Sequence, residues 1–139
     1  MHRIRLSAEL KNLEDFLSVL REYAQGQEFP AKRIREIELA AEEALVNIFQ
    51  YAYPEGQPGE VSMEYGLDAE QKLVISFRDR GDAFDPTSTA EPDLSSDVQD
   101  RPVGGLGLFF IHSMMDEVSF VREGDENVLT LRAGRMRSE

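Results

Sequence analysis

At 139 residues with 41% apolar content, the chain is long enough for one compact domain with a single core but not for two, so residues 1–139 are expected to form one domain. Its 15 basic and 27 acidic residues give a formal net charge of −12, which opposes direct contact with nucleic acid or an anionic lipid surface. Cysteine is absent, excluding disulfides and zinc–thiolate sites. The amino terminus lacks a signal-peptide core and no apolar run approaches the roughly 20 residues of a membrane helix, so a cytoplasmic address without a membrane partner is expected.

His2 to Leu6 alternates polar and apolar and reads as a first strand, with Ser7 as N-cap of the helix that follows. Leu10, Leu13, Leu17 and Leu20, with Phe16, recur at helical spacing and close near Gly26. Pro30 suits the first turn of a second, longer helix whose stripe is Ile34, Ile37, Ala41, Ala44, Leu45, Ile48 and Ala52, stopped by Pro54-Glu55-Gly56. Val61 to Tyr65 and Leu73 to Phe77 are expected as an antiparallel pair turning around Asp68-Ala69-Glu70. Residues 85–103 are poor in apolar side chains and read as a long functional loop. Leu106 to Met115 predicts a third helix, Val118 to Val121 and Asn127 to Leu131 a closing hairpin around Gly124-Asp125, and residues 132–139 a frayed tail. The order suggests a mixed sheet with helices on one face.

Three motifs carry chemistry. Glu43 and Asn47 stand four residues apart on the second helix, on a stripe extended by Glu36, Ala40 and Tyr51 beside the apolar one. Such a pair also describes a solvated helix face, yet a mid-helix Asn is a mediocre helix former, and its amide oxygen suits a hard divalent cation. Asp79 follows an apolar strand, with Gly81 two residues on. This is either an ordinary turn or a carboxylate placed to accept a hydrogen bond from an exocyclic amine where the backbone lets a planar ring approach. Gly104-Gly105-Leu106-Gly107-Leu108 opens the third helix, as a hinge or as backbone N–H groups that hold phosphate oxygens. No Gly-Lys-Ser/Thr follows, and the glycines succeed a polar loop rather than a strand, so neither a P-loop nor a dinucleotide fingerprint is present. Together the three fit a magnesium–nucleotide pocket. His2 and His112 are expected to be structural rather than phosphoacceptors, and Met114 and Met115 core or dimer surface.

These stretches resemble the N, G1 and G2 boxes of the Bergerat-fold (GHKL) ATPases, and within them the anti-sigma-factor serine kinases of bacteria. Glu43-Ala44-Leu45-Val46-Asn47-Ile48-Phe49-Gln50-Tyr51-Ala52-Tyr53 is similar to the family's Glu-Ala-x-x-Asn-x-x-x-His-Ala-Tyr, and Asp79 to Asp85 to its Asp-x-Gly-x-x-Phe-Asp. Gly104 to Ile111, with Met115-Asp116-Glu117-Val118, is similar to its glycine-rich helix and following strand. The resemblance implies an α+β fold, a two-layer sandwich with a mixed, mostly antiparallel sheet and helices on one face. It implies ATP and Mg2+ as ligands: Asn47 on the metal, Asp79 on the adenine amine, Gly81 making room for the ring, and Gly104, Gly105, Leu106, Gly107 and Leu108 around the phosphates. Residues 86–103 would be the lid, Arg101 near its end a solvated loop residue or a γ-phosphate contact, and Glu43 the general base toward a serine hydroxyl.

The implied partners are an anti-sigma antagonist with a phosphorylatable serine, a sigma factor held by partner switching, and a second copy of the chain. Specificity is expected on exposed surfaces of the first two helices and the lid. Three departures stand out: Tyr51 where the family more often has His, the bulk of Ile48-Phe49, and Asn127-Val128 in place of threonines, which puts an adenine-side contact in question. The lid acids Glu91, Asp93, Asp97 and Asp100 oppose triphosphate unless they point away. A non-kinase nucleotide switch, needing the pocket but not the base, is the alternative, and an independent ATPase using water a third reading.

Overall fold

The computed structural model describes residues 1–54, 56–57, 59–82 and 111–136. Five strands, β1 (His2–Ser7), β2 (Glu60–Leu67), β3 (Leu73–Asp79), β4 (Glu117–Glu123) and β5 (Glu126–Ala133), form one sheet in the order β1-β2-β3-β5-β4. Every pairing among the described strands is antiparallel, so the mixed sheet expected from element order is in these residues a uniform ladder. Two long helices, α1 (Leu13–Gly26) and α2 (Ala31–Tyr51), accompany the sheet.

Strict alternation along β3 decides which face is covered: Leu73, Ile75, Phe77 and Asp79 are buried, while Val74, Ser76 and Arg78 are partly open. The buried set joins Val61, Met63, Leu129 and Leu131 of the neighbouring strands with Phe16 and Leu20 of α1 and Ile37 and Leu45 of α2 in one core. The opposite face carries charge ladders instead. Arg78 pairs with Glu64 at 2.8 Å and Glu123 at 3.1 Å, and Arg132 with Asp68 at 2.6 Å and Glu117 at 2.9 Å. A sheet apolar on one side and polar on the other, with helices on the apolar side, is a two-layer α+β sandwich.

Local chemistry corrects several boundaries. Ser7 does not cap a helix: its hydroxyl donates to Glu9 and accepts from the Asn12 amide at 2.7 Å, and a 3-10 turn at Leu10–Asn12 precedes α1. Pro30 sits just outside α2 in extended conformation, with its carbonyl accepting from Ile34 N–H at 2.9 Å. Asp68 shapes the β2–β3 turn by accepting from the N–H groups of Glu70 and Lys72, which leaves Gln71 at φ 65°.

The expected frayed tail is the largest correction. β5 continues to Ala133, Gly134 N–H donates to Asp116 at 2.9 Å, and Arg135 donates to the carbonyls of Gln27 and Gln71 while lying 4.7 Å over the Phe29 ring. Arginine tethers of this kind leave no apolar periodicity to read. Residues 137–139 lie outside the described residues. Of the third helix, residues 111–114 are described, with Ile111, Met114 and Met115 in the core and His112 exposed. Both methionines are therefore core rather than dimer surface. His2 is exposed and stacks on Tyr65 with ring centroids 5.2 Å apart.

Candidate functional site

The 21 residues of α2 have one face committed to the core through Ile34, Ile37, Ala41, Ala44, Leu45 and Ile48. Asn47 lies beside that face and is only 6% exposed, with its Nδ2 making no hydrogen bond among the described residues. An unmet buried polar atom costs about 1–3 kcal/mol, so a folded chain that keeps one has a use for it. Glu43, one turn earlier, is half-buried. The stripe drawn through Glu36, Ala40 and Tyr51 does not line a site as a whole. Ala40 is fully buried, and Glu36 pairs with Arg33 at 3.2 Å. The bulk of Ile48 and Phe49 goes to packing, Phe49 meeting Phe16 of α1 at 6.4 Å between ring centroids.

At the end of β3, Asp79 is 5% exposed. Its Oδ1 accepts from Gly81 N–H at 2.9 Å and from the Asn127 amide at 3.0 Å. Burial pushes its carboxyl above the ordinary carboxylate range, while the Asn127 and Gly81 donors and the Arg122 charge pull the other way. The turn after Asp79 docks on the end of α2: Asp82 N–H donates to Ala52 C=O at 2.9 Å. A Cβ on Gly81 would lie 2.0 Å from that same carbonyl oxygen. The glycine is thus required by the backbone of α2 itself, a different reason from room for a ring. This close approach is also what brings the Glu43/Asn47 helix and the Asp79 turn into one region.

Three residues in this region were not singled out as contributors by the sequence reading. Tyr53 OH donates to Glu60 C=O at 2.6 Å and accepts from Arg80 N–H at 2.9 Å, tying the exit of α2 to β2 and β3, and burial raises its phenol above the usual value. Asn127, whose presence put a contact in question, donates directly to Asp79 and to Asp82 C=O at 2.8 Å. Arg122 donates to Asn127 Oδ1 at 3.0 Å and to Gly81 C=O at 2.9 Å. Period-two alternation places Asn127 on the core side with Leu129 and Leu131, a polar residue at an inward position, which is a usable signal. Nothing local to Arg122 betrays its role. Phe84, Asp85, Arg101, Gly104, Gly105, Leu106, Gly107, Leu108 and the lid 86–103 lie outside the described residues.

A buried amide, an acid one turn away and a buried carboxylate with one oxygen spoken for can together hold a cation and a base. Comparison with known proteins is decisive: residues 6–133 match the histidine kinase-like ATPase domain. The chain belongs to that family. It is 33% identical over 107 residues to the serine-protein kinase RsbW of Listeria monocytogenes, covering 73% of this chain and 68% of that protein. It is 34% identical over 100 residues to RsbW of Bacillus cereus, covering 69% of this chain and 61% of that protein. These relatives bear out the resemblance to the anti-sigma-factor serine kinases, and nucleotide use goes with the family.

Solved structures agree on the fold. The RsbU and RsbW domains of a Mycobacterium tuberculosis protein superpose with a TM-score of 0.64 at 16% identity, over 96% of this chain and 32% of that one. The SiaB-SiaC complex of Pseudomonas aeruginosa gives 0.60 at 18% identity, over 94% of this chain and 88% of that one.

Proposed function

We propose that this chain is an ATP-dependent protein-serine kinase and anti-sigma factor that phosphorylates an anti-sigma antagonist and controls a sigma factor by partner switching. The serine-kinase relatives support the activity, and the observation on the molecule that carries it is the buried amide nitrogen of Asn47, which has no hydrogen-bond partner among the described residues. A half-turn of that amide aims Oδ1 where Nδ2 points, so the side chain suits a magnesium ligand. Among the described residues no cluster of three or more His, Asp or Glu side chains encloses a metal, consistent with an ion that takes most of its ligands from phosphate and water. When bound, magnesium supplies charge neutralisation for the phosphates.

In this reading Asp79 accepts the adenine amine, Gly81 keeps the turn close to α2, and residues 104–108 hold the phosphates beneath a lid of residues 86–103. Glu43 orients the antagonist's serine hydroxyl and accepts its proton as the γ-phosphoryl group passes from ATP to the serine oxygen, with ADP as the leaving group. Residues 1–139 act as a single ATPase domain, in a homodimer, in the cytoplasm. No helix among the described residues is long and apolar enough to cross a membrane.

The test is a calorimetric titration of ATP and ADP, with and without magnesium, on the wild type, Asn47→Ala and Glu43→Gln, followed by transfer from labelled ATP to candidate antagonists. Magnesium-dependent binding lost in Asn47→Ala, and binding kept with transfer lost in Glu43→Gln, is the expected pattern. Transfer at the wild-type rate by Glu43→Gln refutes the base assignment. Binding by the wild type with no transfer to any serine-bearing antagonist favours a non-kinase switch.

A further inference from the structure

Strand register places Asp79 of β3 opposite Asn127 of β5, and Asn127 opposite Arg122 of β4. Carboxylate, amide and guanidinium therefore lie in one row across three adjacent strands. The row is bonded throughout: Arg122 donates to Asn127 Oδ1 at 3.0 Å, and Asn127 donates to Asp79 Oδ1 at 3.0 Å. Asn127 spends its second N–H on Asp82 C=O, and Arg122 holds Gly81 C=O, so both also clamp the turn that follows Asp79. With Gly81 N–H as a second donor, Oδ1 is fully engaged.

We infer that this row is a positioning relay in which Arg122, acting through Asn127, locks the Asp79 carboxylate in one orientation and leaves Oδ2 as the acceptor that selects a 6-amino over a 6-oxo purine. It rests on the nucleotide reading above. An amide whose oxygen is already bonded to a guanidinium is a stronger donor, so the guanidinium is felt at Asp79 without touching it. The row also offsets burial of Asp79. Arg122 from β4 lowers its carboxyl and Glu126 at the start of β5 raises it, while Arg80 and Asp82 flank it in the chain and Tyr53 OH packs from the turn after α2. Removing Arg122 or Asn127 therefore moves the carboxyl upward and carries the acid limit of ATP binding upward with it.

The experiment compares affinities for ATP and for inosine triphosphate, its 6-oxo counterpart, in wild type, Asn127→Leu, Arg122→Gln and Arg122→Lys, across pH. The Asp79 carboxyl is followed by carbon-13 NMR in nucleotide-free protein, and urea unfolding confirms that each variant folds. Asn127→Leu is expected to weaken ATP roughly tenfold or more while weakening inosine triphosphate less. Arg122→Gln is expected to narrow the same preference several-fold, with partial recovery in Arg122→Lys. In both Asn127→Leu and Arg122→Gln the Asp79 signal titrates at higher pH.

Arg122 is surface-exposed, so its variants keep the test open if Asn127→Leu fails to fold. An unchanged nucleotide preference and Asp79 titration in a folded Arg122→Gln overturn the relay while ATP binding by the wild type leaves the nucleotide reading standing. If the wild type binds neither nucleotide although the Asp79 signal responds to Arg122→Gln, the nucleotide reading fails and the base-selecting role fails with it.

Discussion

Arg33 is a residue whose removal can be costed from the structure. It is 2% exposed, and one guanidinium bonds Gly134 C=O at 2.8 Å, Met114 C=O at 2.6 Å, Asp116 at 3.1 Å and Glu36 at 3.2 Å. It thereby fastens the first turn of α2 to the residues after the 111–114 helical turn and to the end of β5. Arg33→Met fills similar volume but strands two carbonyls and takes the guanidinium from the Asp116 carboxylate, 4% exposed, beside which Lys72 stays at 3.6 Å. Breaking a buried pair from one side costs about 3–5 kcal/mol, which for a domain of this size lowers the melting temperature by roughly 10–15 °C.

Urea unfolding followed by circular dichroism measures the loss directly, provided the slope with denaturant is unchanged. Adding Asp116→Asn to Arg33→Met removes the stranded charge and is expected to recover about 1–3 kcal/mol of it. Arg33→Lys, with a charge but no planar fork, falls between wild type and Arg33→Met. Stability of Arg33→Met within about 1 kcal/mol of wild type refutes the reasoning, because desolvation of the arginine would then have cancelled its bonds.

Gly81→Ala places Cβ 2.0 Å from the Ala52 oxygen, forcing the turn and the end of α2 apart at a cost of about 1–3 kcal/mol; nucleotide affinity should fall with stability, and a variant as stable as wild type in urea contradicts the close approach. Asn47→Ala trades an unmet buried amide for the best helix former, so the nucleotide-free protein is expected to be equally stable or more stable by about 0.5–1 kcal/mol while losing magnesium-dependent binding. A clear destabilisation in thermal melts would show that Asn47 is structural. Asp79→Asn tests linkage. Burial raises the carboxyl in the folded chain above its unfolded value, so the folded state binds that proton more tightly and stability is lost as pH rises from the ordinary carboxylate range through the raised one. The variant lacks that decline, and its advantage over wild type should grow across that window and then level off in urea titrations at successive pH values.

Much of the scaffold was legible because local periodicity and tertiary burial coincide in it. The leucines of α1, the stripe of α2 and the alternation of β3 each follow one repeat and face one core, so the pattern and the packing answer agree. The places of Glu43 and Asn47 on α2 and of Asp79 at the end of β3 were legible for a similar reason, since each sits at a fixed offset inside or at the end of a regular element. Ser7 and Pro30 were displaced by a residue or a turn because capping depends on which side chain wins a local competition, here Asn12 reaching back to Ser7. The tail misled because its anchors are long-range: Arg135 finds Gln27 and Gln71, neither near it in sequence.

What the chain order alone determined is the set of regular elements, the inward faces of the strands and the motif spacing on α2 and after β3, because these follow from backbone geometry repeated every two or 3.6 residues. What only the assembled sheet decided is which residues meet. Placing β5 between β3 and β4 is what makes Asp79, Asn127 and Arg122 neighbours, and docking the Gly81 turn on Ala52 is what joins α2 to them. Residues 48 positions apart in the chain share a hydrogen bond there, and no local repeat encodes a contact that strand order creates.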